Sequence, residues 1–346
     1  MQRKKIIFYY PDMYVGGVEM AILNLAKRIY RDYDLHFFYR SFSDLNLSRE
    51  FSKYGTIRNI GGLYPEEECD VLVYCSLWYD EKDFCKNIRA KKTLLWTHAI
   101  IPQRGTKFQH MPTMRKIDEV VVVSEATKAS IPRKLYRERF NGKTHVIYNI
   151  LNTKEIKEKS MLSAPDLQLA KDLNICTVAR LSHEKGWLRI RYLCLELQKL
   201  GIDFKWFVIG EGYVPEQLHR IHLMLDNIPQ VEFVGKLLNP FPAVKQMDYL
   251  ALLSDYESWG LAITEGKILN VPIIATDFSA AFEQVSDDYN GIIVPKKEYG
   301  YYKDIVKRIV KNKSKYKENL KDFDYEQINE ISIKQWREIF DGKESQ

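Results

Sequence analysis

Apolar positions fall into short runs set between segments of helical period. In the first half, Lys5 to Tyr10, Asp34 to Tyr39, Val71 to Cys75, Lys92 to Thr97, Glu119 to Val123 and His145 to Tyr148 are too short for helices and are rich in β-branched and aromatic residues. Such runs predict strands, and near-continuous apolar runs predict strands buried on both faces of a parallel sheet. Asp12 to Gly17 reads as a turn and Val18 to Tyr30 as a helix, with apolar residues at helical spacing. The acidic stretch Glu66 to Asp70 reads as a turn before the third strand.

Asn149 to Asp172 mixes Asn, Lys, Ser and Pro without a period, which places a linker near Leu151 to Asp166. The same grammar then restarts. Asn174 to Ala179, Phe204 to Ile209, Val231 to Val234, Leu250 to Ser254, Val271 to Ala275 and Gly291 to Pro295 predict strands, and Trp187 to Leu200 predicts a helix. Near the end, Ile328, Ile331, Ile333, Trp336 and Phe340 share roughly one helical face. Strand and helix alternating twice over predict an α/β chain of two doubly wound domains, residues 1–160 and 161–325, followed by a last helix in residues 326–346.

Composition agrees with this plan. A length of 346 residues favours two domains of ordinary size, and 45% hydrophobic with 13% aromatic residues excludes a disordered chain. The five cysteines, Cys69, Cys75, Cys85, Cys176 and Cys194, have neither metal nor redox spacing and fit a reducing cytoplasm. The apolar stretch in MQRKKIIFYYPDM is too short for a signal peptide, and no apolar run approaches a membrane span.

The net charge of +6 is unevenly placed. Residues 1–150 carry 25 Lys+Arg against 17 Asp+Glu, and the remainder carries 27 against 29. Within the first half, residues 101–145 hold ten basic and four acidic residues, among them Arg104, Lys107, Arg115, Lys116, Arg133, Arg137 and Arg139. Three readings stay open here: a solvated helical face, docking to an anionic membrane surface, and nucleic acid, for which no recognition motif is present.

The candidate chemistry centres on Asp255 to Asp277, DYESWGLAITEGKILNVPIIATD. Glu257 falls in the loop at the carboxyl end of a strand, where open α/β sheets bind ligands. Gly260 lets a ligand approach the backbone where a helix begins, and the free N–H groups there favour an anion. Glu265 lies about a turn inside that helix, where a carboxylate can accept from a diol. Two hydroxyl-reading carboxylates around a phosphate describe a nucleotide-sugar. Arg180 and Lys185, five apart across a strand-to-helix turn, can converge on one diphosphate. His98, at the end of the fourth strand, is either a satisfied core group or a site residue. The Asp32-Tyr33-Asp34 triplet reads as a surface loop, and His219 with His222 lack a third metal ligand.

ESWGLAITEGKILNVPIIATD resembles the signature of the retaining, two-domain glycosyltransferases of family 4, E-x-F-G-L-x-x-x-E-A-x-x-x-G-x-P-V-I-A-T. Trp259 replaces Phe, Gly266 replaces Ala and Asn270 replaces Gly; the first two are expected beside the sugar. VARLSHEKG resembles the family's A-R-L-x-P-E-K-G, with His183 for Pro. PDMYVGGVEM resembles its G-G-V-E loop, THAI its histidine position, and Gly210-Glu211-Gly212 its G-x-G turn.

The resemblance implies two Rossmann-like domains facing across a cleft, with the last helix crossing back to the first. It implies that Arg180 and Lys185 hold the donor diphosphate, Glu265 the ribose and Glu257 the transferred sugar. Gly16, Gly17, Glu211, Val234, Gly235, Gly260 and Leu261 are expected to line the donor, and His98 to stand against the reacting sugar. The expected donor is UDP-linked and no metal is expected. A saccharide acceptor, lipid-linked, is expected at the cytoplasmic face of a membrane, in surface polysaccharide assembly. Two alternatives remain at this point: an epimerase or phosphorylase on the same scaffold, and a non-catalytic nucleotide-sugar-binding subunit.

Overall fold

The structure is a computed structural model that describes residues 3–13, 16–42, 44–75, 83–99, 112–133, 136–297 and 299–342. It divides into two compact units, residues 1–151 with 326–346, and residues 152–325.

The first unit is built on a seven-stranded parallel sheet. Its strands are β1 (Lys5–Met13), β2 (Asp34–Phe42), β3 (Thr56–Asn59), β4 (Glu67–Tyr74), β5 (Ile88–Thr97), β6 (Glu119–Val122) and β7 (Thr144–Val146). Their order is β3-β2-β1-β4-β5-β6-β7. Helices α1 (Gly17–Ile29), α2 (Leu45–Phe51) and α3 (Glu125–Ser130) join them. Ile6, Ile7 and Phe8 of β1 are at most 1% exposed, as a strand covered on both faces requires.

Two expectations need correction in this sheet. A strand not read in the sequence, β3, forms its edge; it is four residues long and mostly exposed, so it carries no apolar run. The acidic stretch is not a turn: Glu67 to Asp70 opens β4. Cross-strand cations hold the acids there, with Lys5 Nζ 2.6 Å from Glu67 and Lys91 Nζ 2.7 Å from Asp70.

The second unit carries a six-stranded parallel sheet. Its strands are β8 (Leu173–Val178), β9 (Phe204–Ile209), β10 (Val231–Gly235), β11 (Tyr249–Leu252), β12 (Ile273–Thr276) and β13 (Gly291–Val294), in the order β10-β9-β8-β11-β12-β13. Its helices are α4 (Thr153–Lys159), α5 (Trp187–Lys199), α6 (Pro215–Leu225), α7 (Phe241–Lys245), α8 (Leu261–Ile268) and α9 (Tyr302–Asn319). The strand order reverses between β8 and β11, and such a switch point opens a crevice at the carboxyl ends of the two strands.

The unit boundary lies after Leu151, not at residue 160. Residues 153–159 fold into α4, capped by the Asn152 side chain, and belong to the second unit. The last helix, α10 (Glu326–Asp341), belongs to the first unit. Its Trp336 meets Trp96 of β5 edge-on at 4.8 Å, and its Phe340 packs against Phe8 of β1. Among the described residues no helix is long and apolar enough to cross a membrane.

Candidate functional site

In the second unit the expected residues gather at the switch point. Arg180 and Lys185 follow β8, while Glu257, Gly260, Leu261 and Glu265 follow β11. Lys185 Nζ donates to Glu257 Oε1 at 2.6 Å, and both side chains are 16% exposed. Ser254 Oγ donates to the same oxygen at 2.7 Å. The Lys185 ammonium and the Ser254 hydroxyl thus meet on one oxygen of the Glu257 carboxylate. Arg180 stays about half exposed, its guanidinium 3.8 Å from Glu184.

The loop after β8 is built for this placement. Ser182 to Lys185 form a single tight turn, and the Trp187 indole N–H donates to Ser182 O at 2.7 Å. Gly186 then turns the chain into α5 at φ +76°, a conformation that suits glycine. A Cβ at Gly186 would lie 1.9 Å from Leu253 O, so only glycine lets this loop close on the end of β11. Glu184 is buried, which alone would raise its pKa. The Ser182 hydroxyl and the charges of Lys185 and Arg180 outweigh that and hold it below the usual carboxylate range.

Arg189, which the sequence reading passed over, clamps the same end of the sheet. Its guanidinium donates to Leu253 O at 2.9 Å, to Lys296 O at 3.2 Å and to the Asp255 carboxylate. It is 8% exposed, and the signal for it was a cation on the buried phase of α5.

Gly260 caps α8 at φ +84°, and Leu261 begins the helix. One turn on, Glu265 makes no hydrogen bond or ion pair among the described residues, and burial pushes its pKa up to about 7. A largely buried carboxyl without a side-chain partner among the described residues is suited to accept from a hydroxyl donor.

Two residues expected beside the sugar are turned inward instead. Trp259 is 3% exposed, and its indole N–H donates to Thr264 Oγ1 at 3.1 Å. Gly266 packs on the sheet, where a Cβ would stand 2.9 Å from the Ile273 side chain. They shape the support beneath Glu257 and Glu265. Asn270, in place of the family's Gly, takes φ +60°, the left-handed region that Asn tolerates after a helix.

Glu211 follows β9, and its carboxylate is taken up by Lys236 at 2.5 Å and Tyr213 at 2.9 Å. The hydrogen bond from Lys236, then that from Tyr213, lowers its pKa. Its backbone carbonyl accepts from Leu181 N at 2.8 Å and so joins the β9 loop to the Arg180 loop. Val234 and Gly235 end β10, where Gly235 O accepts from Gly210 N at 2.9 Å.

Gly16, Gly17 and His98 lie in the first unit. Gly16 precedes α1 in extended backbone, and Gly17 is its first residue. The His98 ring stacks obliquely on Trp96 at 4.5 Å. Burial drives its pKa down to about 3, so at neutral pH it is an uncharged imidazole. Of the basic stretch, residues 101–111, 134 and 135 lie outside the described residues. Elsewhere in it Arg139 donates to the carbonyls of Arg115 and Ile117, and Lys116 pairs with Asp83 at 3.0 Å. Asp32 of the D-x-D triplet pairs with Arg337 at 2.7 Å. No group of three or more His, Cys, Asp and Glu among the described residues could hold a metal ion.

Residues 164–327 match the family model described as glycosyl transferases group 1. The structure superposes on Anabaena Alr3699/HepE, solved in complex with UDP and glucose, with a TM-score of 0.76 at 15% identity, over 96% of this chain and 99% of that one. The family match covers a little under half of the chain, nearly all of it in the second unit, and the superposition shows the fold. The fold, two parallel-sheet Rossmann-like units, is that of the GT-B glycosyltransferases. The uncharacterized glycosyltransferase MJ1178 of Methanocaldococcus jannaschii is 25% identical over 91% of both chains. A second relative covers less. It is the N-acetylgalactosamine-N,N'-diacetylbacillosaminyl-diphospho-undecaprenol 4-alpha-N-acetylgalactosaminyltransferase of Campylobacter jejuni, 26% identical over 44% of this chain and 40% of its own.

Proposed function

We propose that this chain transfers a sugar from a nucleoside diphosphate-sugar, UDP-linked, to a hydroxyl of a lipid-linked saccharide, with retention at the anomeric carbon, in surface polysaccharide assembly. The observation that carries the reading is that Lys185 and Glu257 meet at 2.6 Å where the loops after β8 and β11 come together, with Arg180 in the first loop and Glu265 in the helix that follows the second. As the bond to the donor phosphate breaks, charge builds on the leaving diphosphate. Arg180, Lys185 and the start of α8 stand ready to stabilise it, and no step requires a divalent metal. Glu265, largely buried and without a side-chain partner among the described residues, accepts the ribose hydroxyls, and Glu257 reads the sugar.

His98 has no charge to offer near neutrality, so its role is to position the sugar through a neutral hydrogen bond. The basic residues between 101 and 145 attract the enzyme to the anionic cytoplasmic leaflet, where a lipid-linked acceptor would lie. The UDP complex of the Anabaena neighbour and the undecaprenol-linked acceptor named for the Campylobacter relative support these choices.

A thermal-shift screen of UDP-, GDP- and ADP-sugars tests the donor. A donor at about 100 times its Kd should add about 2.7 kcal/mol of stability. No shift with any of them would contradict the proposal.

A further inference from the structure

We propose that Ser254 is a positioning residue for sugar recognition, acting only through Glu257; this rests on the donor reading above. Ser254 is fully buried and lies just past the end of β11. Its hydroxyl donates to Glu257 Oε1 at 2.7 Å, and Lys185 Nζ reaches that same oxygen at 2.6 Å. Both donors converge on one carboxylate oxygen. Oε2 makes no hydrogen bond or ion pair among the described residues, so it is the oxygen free for a sugar hydroxyl.

The backbone around Ser254 is pinned from three sides. Leu253 O accepts from Arg189 at 2.9 Å, Ser254 O accepts from the buried Thr276 hydroxyl, and Asp255 N donates to Glu184 O at 2.7 Å. These three partners come from α5, the end of β12 and the β8 loop. The fold therefore sets where the Ser254 hydroxyl sits, independently of the Glu257 side chain it holds. A mobile Lys185 ammonium alone would leave the carboxylate free to rotate once a diphosphate drew that ammonium away. Ser254 stays behind as the fixed donor and keeps Oε2 turned to the sugar.

The test is a double-mutant cycle read by calorimetry, with UDP and a panel of UDP-glucose, UDP-galactose, UDP-N-acetylglucosamine and UDP-N-acetylgalactosamine. Ser254→Ala should weaken the tightest sugar nucleotide about tenfold and leave UDP within about twofold. In a Glu257→Ala background, adding Ser254→Ala should change neither ligand by more than about twofold. If Ser254→Ala does not fold, Thr276→Val, one hydrogen bond further out, carries the same expectation. Multiplying losses in the double variant, or an equal loss for UDP, would overturn the inference while the donor reading stands. If the unmodified chain binds UDP but gains nothing from any attached sugar, the inference falls alone. If it binds neither UDP nor the panel, the donor reading falls and takes the inference with it.

Discussion

Lys185 Nζ and Glu257 Oε1 lie 2.6 Å apart although 72 residues separate them in the chain. The pair joins the group expected to grip a diphosphate to the group expected to read a sugar. A diphosphate arriving at Arg180 must compete with Glu257 for the Lys185 ammonium. Glu257→Gln removes that competitor. UDP should then bind several-fold tighter while a UDP-sugar binds more weakly, both measured by calorimetry. UDP affinity that falls in this variant would contradict the competition.

Removing the ammonium tests the other half of the pair. Lys185→Ala should lower the transfer rate by about 10²–10³, the loss typical when one donor to a developing anion is deleted. Stability should fall by only about 1–2 kcal/mol, since Ser254 still holds Glu257. Transfer kinetics and urea unfolding on the same preparation separate the two effects.

Glu265 sets a pH dependence with a defined sign. Its folded pKa, about 7, lies above the ordinary carboxylate value because burial disfavours the charge. Between the two values the folded state binds more protons than the unfolded state. This contribution to stability is complete below the unfolded pKa and is lost as pH rises through 7. Glu265→Gln should therefore be more stable than the parent at pH 8, by about 1–3 kcal/mol, with the gap closing by pH 5. Urea unfolding at the two pH values checks this. The same variant should bind the donor poorly, which separates stability from function.

Gly186→Ala should cost more than about 3 kcal/mol or prevent folding, because it combines φ +76° with a Cβ 1.9 Å from Leu253 O. Gly300→Ala is the control: nothing lies within 4 Å of its Cβ and it should unfold like the parent. Equal chemical stability of the two variants would show that the β8 loop does not need this close approach.

Much of the architecture was legible in the sequence, and the exceptions have physical causes. The strands of the second sheet stood out because buried parallel strands are near-continuous apolar runs such as Phe204–Ile209. Strand β3 was missed because an exposed edge strand of four residues has no such run. The β4 acids misled because ionic partners on neighbouring strands compensate their poor strand propensity. At the site, the family likeness pointed to Arg180, Lys185, Glu257 and Glu265, and all four flank the switch point. Their coupling was not legible: Lys185, Ser254 and Glu257 meet only when β8 and β11 lie side by side. Trp259 and Gly266 were misplaced because a signature reports residue types, not which face of the loop turns inward.

The central claim, a cationic grip on a pyrophosphate at the β8/β11 switch point, is tested most directly by titrating UDP and uridine into the parent and Arg180→Ala. The account predicts that UDP binding weakens at least about tenfold in the variant while uridine is unaffected. Equal UDP affinity in the two proteins would contradict it.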